Sequence, residues 1–355
     1  MIVVCDINEI WRRKPFAALA ERIDVLGVAP LDWMVARRKG IPSSGNDLDV
    51  LPVVLPPGWA SRTAKLGQRL LWNTIGSECR ERGVEIDAVV CTSPHYLPLL
   101  DLVPKQVAAI YYASDDYRSY DGWGHVATLE KEMVQRVDHA FFVSQGLMER
   151  ALAEYGVDAA KVSVSMNATE ERFFAGKGSF PVDPPTGRLM RPIAGVVGGI
   201  NDRLDFDLLL ECASLPELGS LLLVGPVPEN PSASLSKVLE HPKCVAVGRQ
   251  PHETIHEWFQ CLDVGLVPYV ETEFNRMCSP MRLFDHLASG APVVATAACD
   301  QANAFPEHVS VCHGAEAFAA SLKERLGEPR RHVGGIGWGD RAEAMLKILE
   351  GLPYA

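Results

Sequence analysis

The stretch Asn275-Arg276-Met277-Cys278-Ser279-Pro280-Met281-Arg282-Leu283-Phe284-Asp285-His286-Leu287-Ala288-Ser289-Gly290-Ala291-Pro292-Val293-Val294-Ala295-Thr296 decides the reading of this chain. Ser279 suits a helix N-cap, Pro280 the first helical position and Gly290 the position just past the end. Met281, Phe284, Leu287 and Ala288 recur at helical spacing and make an apolar face. Arg282 and Asp285, three apart, share the other face. A buried strand follows at once, at 292–295. A helix that feeds directly into an apolar strand is half of a parallel α/β unit.

The same alternation runs outward in both directions. Short apolar runs at 1–5, 24–28, 86–91, 107–112, 140–144 and 162–166 form one series of strands. Runs at 193–197, 220–224, 244–247, 264–267, 292–295 and 309–312 form a second. They lack polar alternation, as strands buried on both faces do. Helical stretches lie between them, at 61–82 and 126–137 for example, and one more closes the chain at 338–349. The expectation is α/β, with two doubly wound parallel sheets. Between the two series, 176–192 holds Gly176, Gly178, Pro181, Pro184, Pro185, Gly187 and Pro192, a density that marks a linker.

Length and composition agree. A chain of 355 residues exceeds what one core usually supports. With 34 Lys and Arg against 45 Asp and Glu, the net charge of −11 argues against a general nucleic-acid binder. No apolar stretch reaches the ~20 residues needed to span a bilayer. Met1-Ile2-Val3-Val4-Cys5-Asp6 meets a charge too soon for a secretory signal. The nine cysteines contain no C-x-x-C pair, which fits reduced thiols in a cytoplasm.

Open parallel sheets bind ligands beyond the carboxyl ends of their strands. After the strand at 193–197 comes Gly198-Gly199-Ile200-Asn201-Asp202-Arg203. Paired glycines let backbone approach a phosphate closely, or simply make a tight turn. Arg203 is a candidate diphosphate contact. Arg282 suits a phosphate, and the Asp285 carboxylate can accept two ribose hydroxyls at once; a surface ion pair is the plainer alternative.

These residues resemble the donor-binding helix of GT-B glycosyltransferases, above all the retaining family 4 and its bacterial polysaccharide relatives. Their pattern is S-P-(L/M)-K-(L/F)-F-E-Y-L-A-A-G-x-P-V-V-A-T, with Arg282 here for Lys and Asp285 for Glu. Asp263-Val264-Gly265-Leu266-Val267-Pro268 resembles the family's D-V-G-L-x-P strand. The family often has a second glutamate eight positions before Asp285, where this chain has Met277. Asn275, Arg276 and Ser279 are the neighbours that could take over its sugar contacts.

The first half resembles the same group more loosely. Trp11-Arg12-Arg13-Lys14-Pro15 is similar to the opening W-x-x-x-x-R-P-Q of some bacterial members. Tyr111-Tyr112-Ala113-Ser114-Asp115-Asp116-Tyr117 is similar to their Y-D-x-x-D-D-Y. Arg12, Arg13 and Tyr117 are acceptor-binding candidates. Asp116, then Asp115, are the candidate bases, since an attacking hydroxyl must lose its proton; loop and cap roles are the alternative for both. Tyr112, Tyr117, Tyr120 and Trp123 could form a sugar-stacking wall or core. Glu130, Asp138 and Ser144 match the frame E-x-x-x-x-x-x-A-D-x-V-x-x-S, and 167–173 is similar to N-G-V-D-x-x-x-F.

The resemblance implies two Rossmann-like domains facing a central cleft. Residues 1–178 would bind the acceptor and 190–335 the nucleotide sugar, while 336–355 would cross back to the first domain. It implies a hexosyltransferase using a UDP- or GDP-sugar, with retention or inversion open. No cofactor and no metal are expected, because Gly198, Gly199, Arg203, Arg282, Asp285, Ser279 and Asn275 would hold the donor. The acceptor would be a saccharide or lipid-linked saccharide in bacterial polysaccharide biosynthesis, met in the cytoplasm or peripherally at the inner membrane face. Two alternatives remain. One is a zinc metallopeptidase, since His252-Glu253-Thr254-Ile255-His256 spells H-E-x-x-H. The other is a non-catalytic sugar-nucleotide-binding protein. Asp47-Leu48-Asp49 and Asp205-Phe206-Asp207 each spell D-x-D, and Asp205 is placed to cap a helix.

Overall fold

The computed structural model describes residues 1–39, 47–61, 63–120, 124–174 and 183–352. The first sheet contains β1 (Ile2–Cys5), β2 (Val25–Asp32), β3 (Asp49–Leu55), β4 (Ala88–Cys91), β5 (Ala108–Ala113), β6 (His139–Phe142) and β7 (Val162–Val164). They run parallel in the order β3-β2-β1-β4-β5-β6-β7. The second contains β8 (Ile193–Val197), β9 (Ser220–Val224), β10 (Cys244–Gly248), β11 (Val264–Val267), β12 (Val293–Thr296) and β13 (Val309–Cys312), parallel in the order β10-β9-β8-β11-β12-β13. Each chain path starts in mid-sheet, moves to one edge, then returns and continues to the other. The switch points are therefore β1/β4 and β8/β11, where such sheets bind ligands.

Twelve α-helices accompany the strands among the described residues. In the first unit they are α1 (Ile10–Ala20), α2 (Trp33–Lys39), α3 (Ala64–Arg82), α4 (Val126–Arg136) and α5 (Gln145–Tyr155). In the second they are α6 (Phe206–Ser214), α7 (Ala233–Glu240), α8 (Ile255–Gln260), α9 (Glu273–Met277), α10 (Met281–Ser289) and α11 (Ala315–Arg325), with α12 (Trp338–Leu349) last. Local signals set their ends. Ser144 Oγ caps α5 by accepting from the Leu147 amide, and Asp205 caps α6 at Leu208. Gly290, at φ 75°, ends α10 in the left-handed conformation that its missing Cβ permits.

The chain divides into Met1–Asn167 together with the segment from Trp338 onward, and Ala168–Gly337. The division falls before the Gly/Pro-rich stretch, of which 176–182 lies outside the described residues. Packing explains the shift. The Thr169 amide donates to the Ile336 carbonyl at 3.0 Å, and the 3-10 turn Glu171–Phe173 packs on α8 and α10. That segment is thereby part of the second unit. Helix α12 buries Trp338, Ala342, Met345 and Leu349 and packs on α1, which places it in the first.

Strand β3 has no counterpart in the sequence reading. Pro52 interrupts its run and three of its seven residues are exposed, both features of an edge strand. The frame residues of the first unit turn out to be architectural. Glu130, buried, accepts from the Tyr111 and Tyr155 hydroxyls at 2.8 and 2.7 Å and so ties α4 to β5 and α5. Asp138 accepts from the Ala109 amide at 2.8 Å. All nine cysteines are free and eight are buried.

Candidate functional site

At the β8/β11 switch point the Gly198 amide donates to the Val224 carbonyl at 2.8 Å, and the chain turns at Gly198 with φ 119°. Gly225, at φ 146°, is required by this turn: a Cβ there would stand 1.8 Å from the Gly198 oxygen. Arg282, from the first turn of α10, lies against the loop, and its Nη2 donates to the Gly199 carbonyl at 2.8 Å. Its guanidinium sits over the Tyr269 ring at 5.4 Å. Its Nη1 is buried without a hydrogen-bond partner among the described residues. A buried guanidinium N–H with no acceptor is costly unless an anion meets it.

Arg203 stands in the same layer. Its guanidinium is sandwiched between Tyr269, at 4.9 Å, and Phe274, at 4.7 Å, and its Nε donates to Asn275 Oδ1 at 2.8 Å. Asn275 is 1% exposed, and its Nδ2 donates to the Val270 carbonyl at 2.9 Å. Asn275 therefore positions Arg203 rather than standing open to a donor. Ser279 also differs from expectation. Pro280 is the N-cap of α10, and the buried Ser279 hydroxyl donates to Gln301 Oε1 at 2.8 Å. The helix that follows the glycine loop carries an acid at its N-terminus, since Asp205 Oδ1 accepts from the Leu208 amide at 2.9 Å. Arg276 is exposed and pairs with Glu271. Met277 closes α9.

Asp285 accepts from Thr169 Oγ1 at 2.7 Å. Burial pushes its carboxyl up to about 7; Glu170 adds to the rise, and the Thr169 hydrogen bond, Arg172 and Arg282 oppose it. Its neighbour His286 is fully buried against Phe259, with both ring nitrogens unpartnered among the described residues, and burial drives it down to about 3. It is a neutral core residue: a Cβ on Gly265 would lie 2.5 Å from its Nδ1.

The zinc reading fails on geometry. His252 precedes α8, which begins at Ile255, and its Nε2 is 3.0 Å from Glu170 Oε1. His256 sits against Phe173 instead. Among the described residues no group of three His, Cys, Asp or Glu could hold a metal ion.

In the first unit, the carboxyl ends of β1, β4 and β5 bring together Asp6, Arg12, Thr92, Ser114, Asp115 and Tyr117. Arg12 is buried; it pairs with Asp6, donates to Ser114 Oγ at 3.2 Å and lies over the Tyr117 ring. Asp6 holds φ 70°, a left-handed conformation uncommon outside glycine. Arg13 turns away to Asp47. Tyr117 is fully buried, and its hydroxyl meets Ser114 Oγ at 2.7 Å and donates to the Thr92 carbonyl. Tyr112 is core beside Phe16, so neither ring forms a sugar-stacking wall. Trp123 lies outside the described residues. Asp116 has no exposed surface; Arg150 and the Ser119 hydroxyl take its two oxygens. A carboxylate so enclosed locks the loop to α5 and is not open to an acceptor. Asp115 is half-buried; its Oδ1 accepts from the Asp116 amide at 2.9 Å and its Oδ2 from the Tyr120 hydroxyl, so it differs from Asp116 in exposure and not in having partners.

The sequence reading did not single out Tyr269, Phe274, Thr169 or Asp6. Tyr269 and Asp6 each lie just past a strand at a switch point, which is the one signal that marks them.

No family model matches the chain. A proposed teichuronic acid biosynthesis glycosyltransferase, TuaH of Bacillus subtilis (strain 168), is 26% identical over 171 residues. That alignment spans 48% of this chain and 43% of TuaH, so the chain matches less than half the length of this curated relative. A glycosyltransferase from Rickettsia africae superposes with a TM-score of 0.65 at 14% identity, covering 99% of this chain and 93% of its own. HepE of Anabaena, in complex with UDP-glucose, gives 0.60 at 12%, covering 99% and 97%. UDP-GlcNAc 2-epimerase of Methanocaldococcus jannaschii gives 0.58 at 12%, covering 99% of each chain. The two parallel α/β units of this chain therefore have the fold of the GT-B glycosyltransferases, a fold that sugar-nucleotide epimerases share.

Proposed function

We propose that this protein is a glycosyltransferase that moves a hexosyl group from a nucleoside-diphosphate sugar, UDP- or GDP-linked, to a saccharide or lipid-linked saccharide in bacterial polysaccharide biosynthesis. The observation that carries the reading is Arg282, held by the Gly199 carbonyl with one buried N–H unpartnered beside a glycine turn at the switch point. A diphosphate answers that geometry. As the bond from the anomeric carbon to the diphosphate breaks, negative charge grows on the leaving oxygens. Arg282 and Arg203 stand fixed on Tyr269 to stabilise it. This is the task a metal performs elsewhere, so we expect activity to survive a chelator. Asp285 accepts the ribose hydroxyls through the oxygen that Thr169 leaves free. The acceptor binds beyond β1 and β5, where Asp115 takes its proton and Asp116 keeps the loop in place. The buried free thiols suit a cytoplasmic setting.

The relationship to TuaH favours transfer over epimerisation, and the assay must separate them. A thermal-shift screen of UDP-, GDP-, ADP- and dTDP-sugars identifies the donor, and Asp285→Ala should abolish the response. Product analysis then distinguishes a lengthened acceptor from an epimerised sugar. Epimerisation, or binding without any turnover, would replace this reading.

A further inference from the structure

Six of the eight exposed large apolar side chains among the described residues come from three consecutive elements of the first unit. Trp33, Met34 and Val35 open α2, Val54 is the penultimate residue of β3, and Leu66 and Leu70 lie one turn apart in the first half of α3. Trp33 is 45% exposed, Met34 58% and Leu66 56%, high values for residues of this size. The topology places them at one end of the sheet. Helix α2 starts where β2 stops, Val54 precedes the carboxyl end of β3, and α3 begins after the short connection that follows. Helix α2 packs on β2 and β3, and α3 packs on β3.

The surrounding charge is mostly positive, with Asp32 the exception: its Oδ1 accepts from the Met34 amide at 2.8 Å. Arg37 and Arg38 follow on α2, and Lys65 and Arg69 alternate with Leu66 and Leu70 on α3; all four are exposed. No Asp or Glu occurs between residues 50 and 77. Among the described residues none of the four cations makes an ion pair. In a chain of net charge −11, a local surface of Arg and Lys around exposed Trp, Met and Leu is a pronounced exception.

We infer that this surface docks on an anionic lipid membrane, with Trp33, Met34, Val35, Leu66 and Leu70 entering the interface and Arg37, Arg38, Lys65 and Arg69 on the headgroups. Apolar insertion and attraction to anionic lipid act together in such contacts, and neither suffices alone. A protein partner would leave the excess of positive charge unexplained unless it were strongly acidic. The surface stands at the same end of the sheet as Asp6, Arg12 and Asp115, so docking would bring the candidate acceptor site to the bilayer surface. Only that last consequence rests on the proposed function.

The test is co-sedimentation of the full chain with vesicles of phosphatidylglycerol and phosphatidylcholine in equal parts, against phosphatidylcholine alone. Binding should require the anionic lipid and weaken with salt. W33A/M34A and R37E/R38E should each lower the bound fraction, the charge reversal by about 10-fold or more in affinity. Circular dichroism and UDP binding should stay unchanged in both variants, since neither pair touches the nucleotide site. Transfer to a water-soluble acceptor should also persist, which separates this inference from the proposed reaction. Failure to bind anionic vesicles, or binding that both variants retain, would overturn it. So would self-association in sedimentation velocity that W33A/M34A abolishes, since a second copy would then cover the patch.

Discussion

Thr169 Oγ1 donates to Asp285 Oδ1 at 2.7 Å, tying the turn after Asn167 to the helix that carries Arg282. The bond leaves one carboxylate oxygen for a ligand, in a setting that raises the acid to about 7. The folded form therefore holds a proton that the unfolded chain, with its carboxyl near 3.8, has released. The contribution of Asp285 to stability should fall as pH rises from about 4 to 7 and level off above that. Asp285→Asn should remove the fall and stabilise the protein by about 2–4 kcal/mol at pH 8, with little gain at pH 4. Denaturant titrations at both pH values measure it, and an equal gain at each would refute the assignment. In the unmodified protein, nucleotide affinity should decline below pH 7 as the carboxylate takes its proton.

Arg282→Lys keeps the charge but not the fork that holds Gly199 while presenting Nη1. Affinity for the nucleoside diphosphate should fall about 10-fold, and about 100-fold in Arg282→Ala. Calorimetric titration with UDP and GDP reads both, and undiminished affinity in the alanine variant would remove Arg282 from the site.

Gly225→Ala and Gly198→Ala should fail differently. The first puts a methyl 1.8 Å from the Gly198 oxygen, a backbone collision that nothing local can relieve. We expect a loss of about 3 kcal/mol or more of stability. The second meets Arg282 Nη2 at 3.0 Å, the far end of a side chain that can yield. It should displace the guanidinium and weaken nucleotide binding more than folding, which thermal melts with and without nucleotide resolve.

Asp116 and Asp115 should also separate. Asp116→Ala leaves Arg150 buried and unpaired, at a cost of about 3–5 kcal/mol. Asp115→Asn should melt within ~1 kcal/mol of the parent while turnover drops at least ~100-fold. Turnover surviving in Asp115→Asn would move the base elsewhere.

His286 gives the second unit an acid limit. Its ring is held down to about 3 by burial, so below the ordinary histidine range the unfolded chain binds a proton the folded one refuses. Its contribution to stability is complete above pH ~6.5 and should fall by about 1.4 kcal/mol per pH unit below it, opposite in sign to that of Asp285. In urea melts between pH 4 and 7, His286→Leu should uncover the opposite slope of Asp285, so that stability falls as pH rises; an unchanged profile would refute the assignment.

Much of the fold was legible because buried parallel strands announce themselves. Ile193–Val197 and Val264–Val267 carry unbroken apolar runs that only a doubly covered sheet explains. Strand β3 escaped because an edge position tolerates Pro52 and leaves three of its seven residues in water. The division between the units escaped as well. Gly and Pro density marks where a chain can bend, whereas the division follows which core receives Thr169 and Phe173.

The candidate site was legible in its charges and not in its geometry. Gly198, Gly199, Arg203, Arg282 and Asp285 are recognisable from type and spacing alone, since phosphates need cations and close backbone. Sequence does not say which side chains are already occupied. Asp115 and Asp116 are adjacent and chemically identical, yet one is half-open and the other is enclosed by Arg150 and Ser119. Asn275 and Ser279 look like donor contacts and are instead engaged with Arg203 and Gln301. The sequence by itself determined the alternation of strands and helices, and with it the two parallel sheets and their switch points, because burial periodicity is local. Only the tertiary structure decided which polar groups stay free, because hydrogen-bond partners such as Thr169 for Asp285 come from 116 residues away.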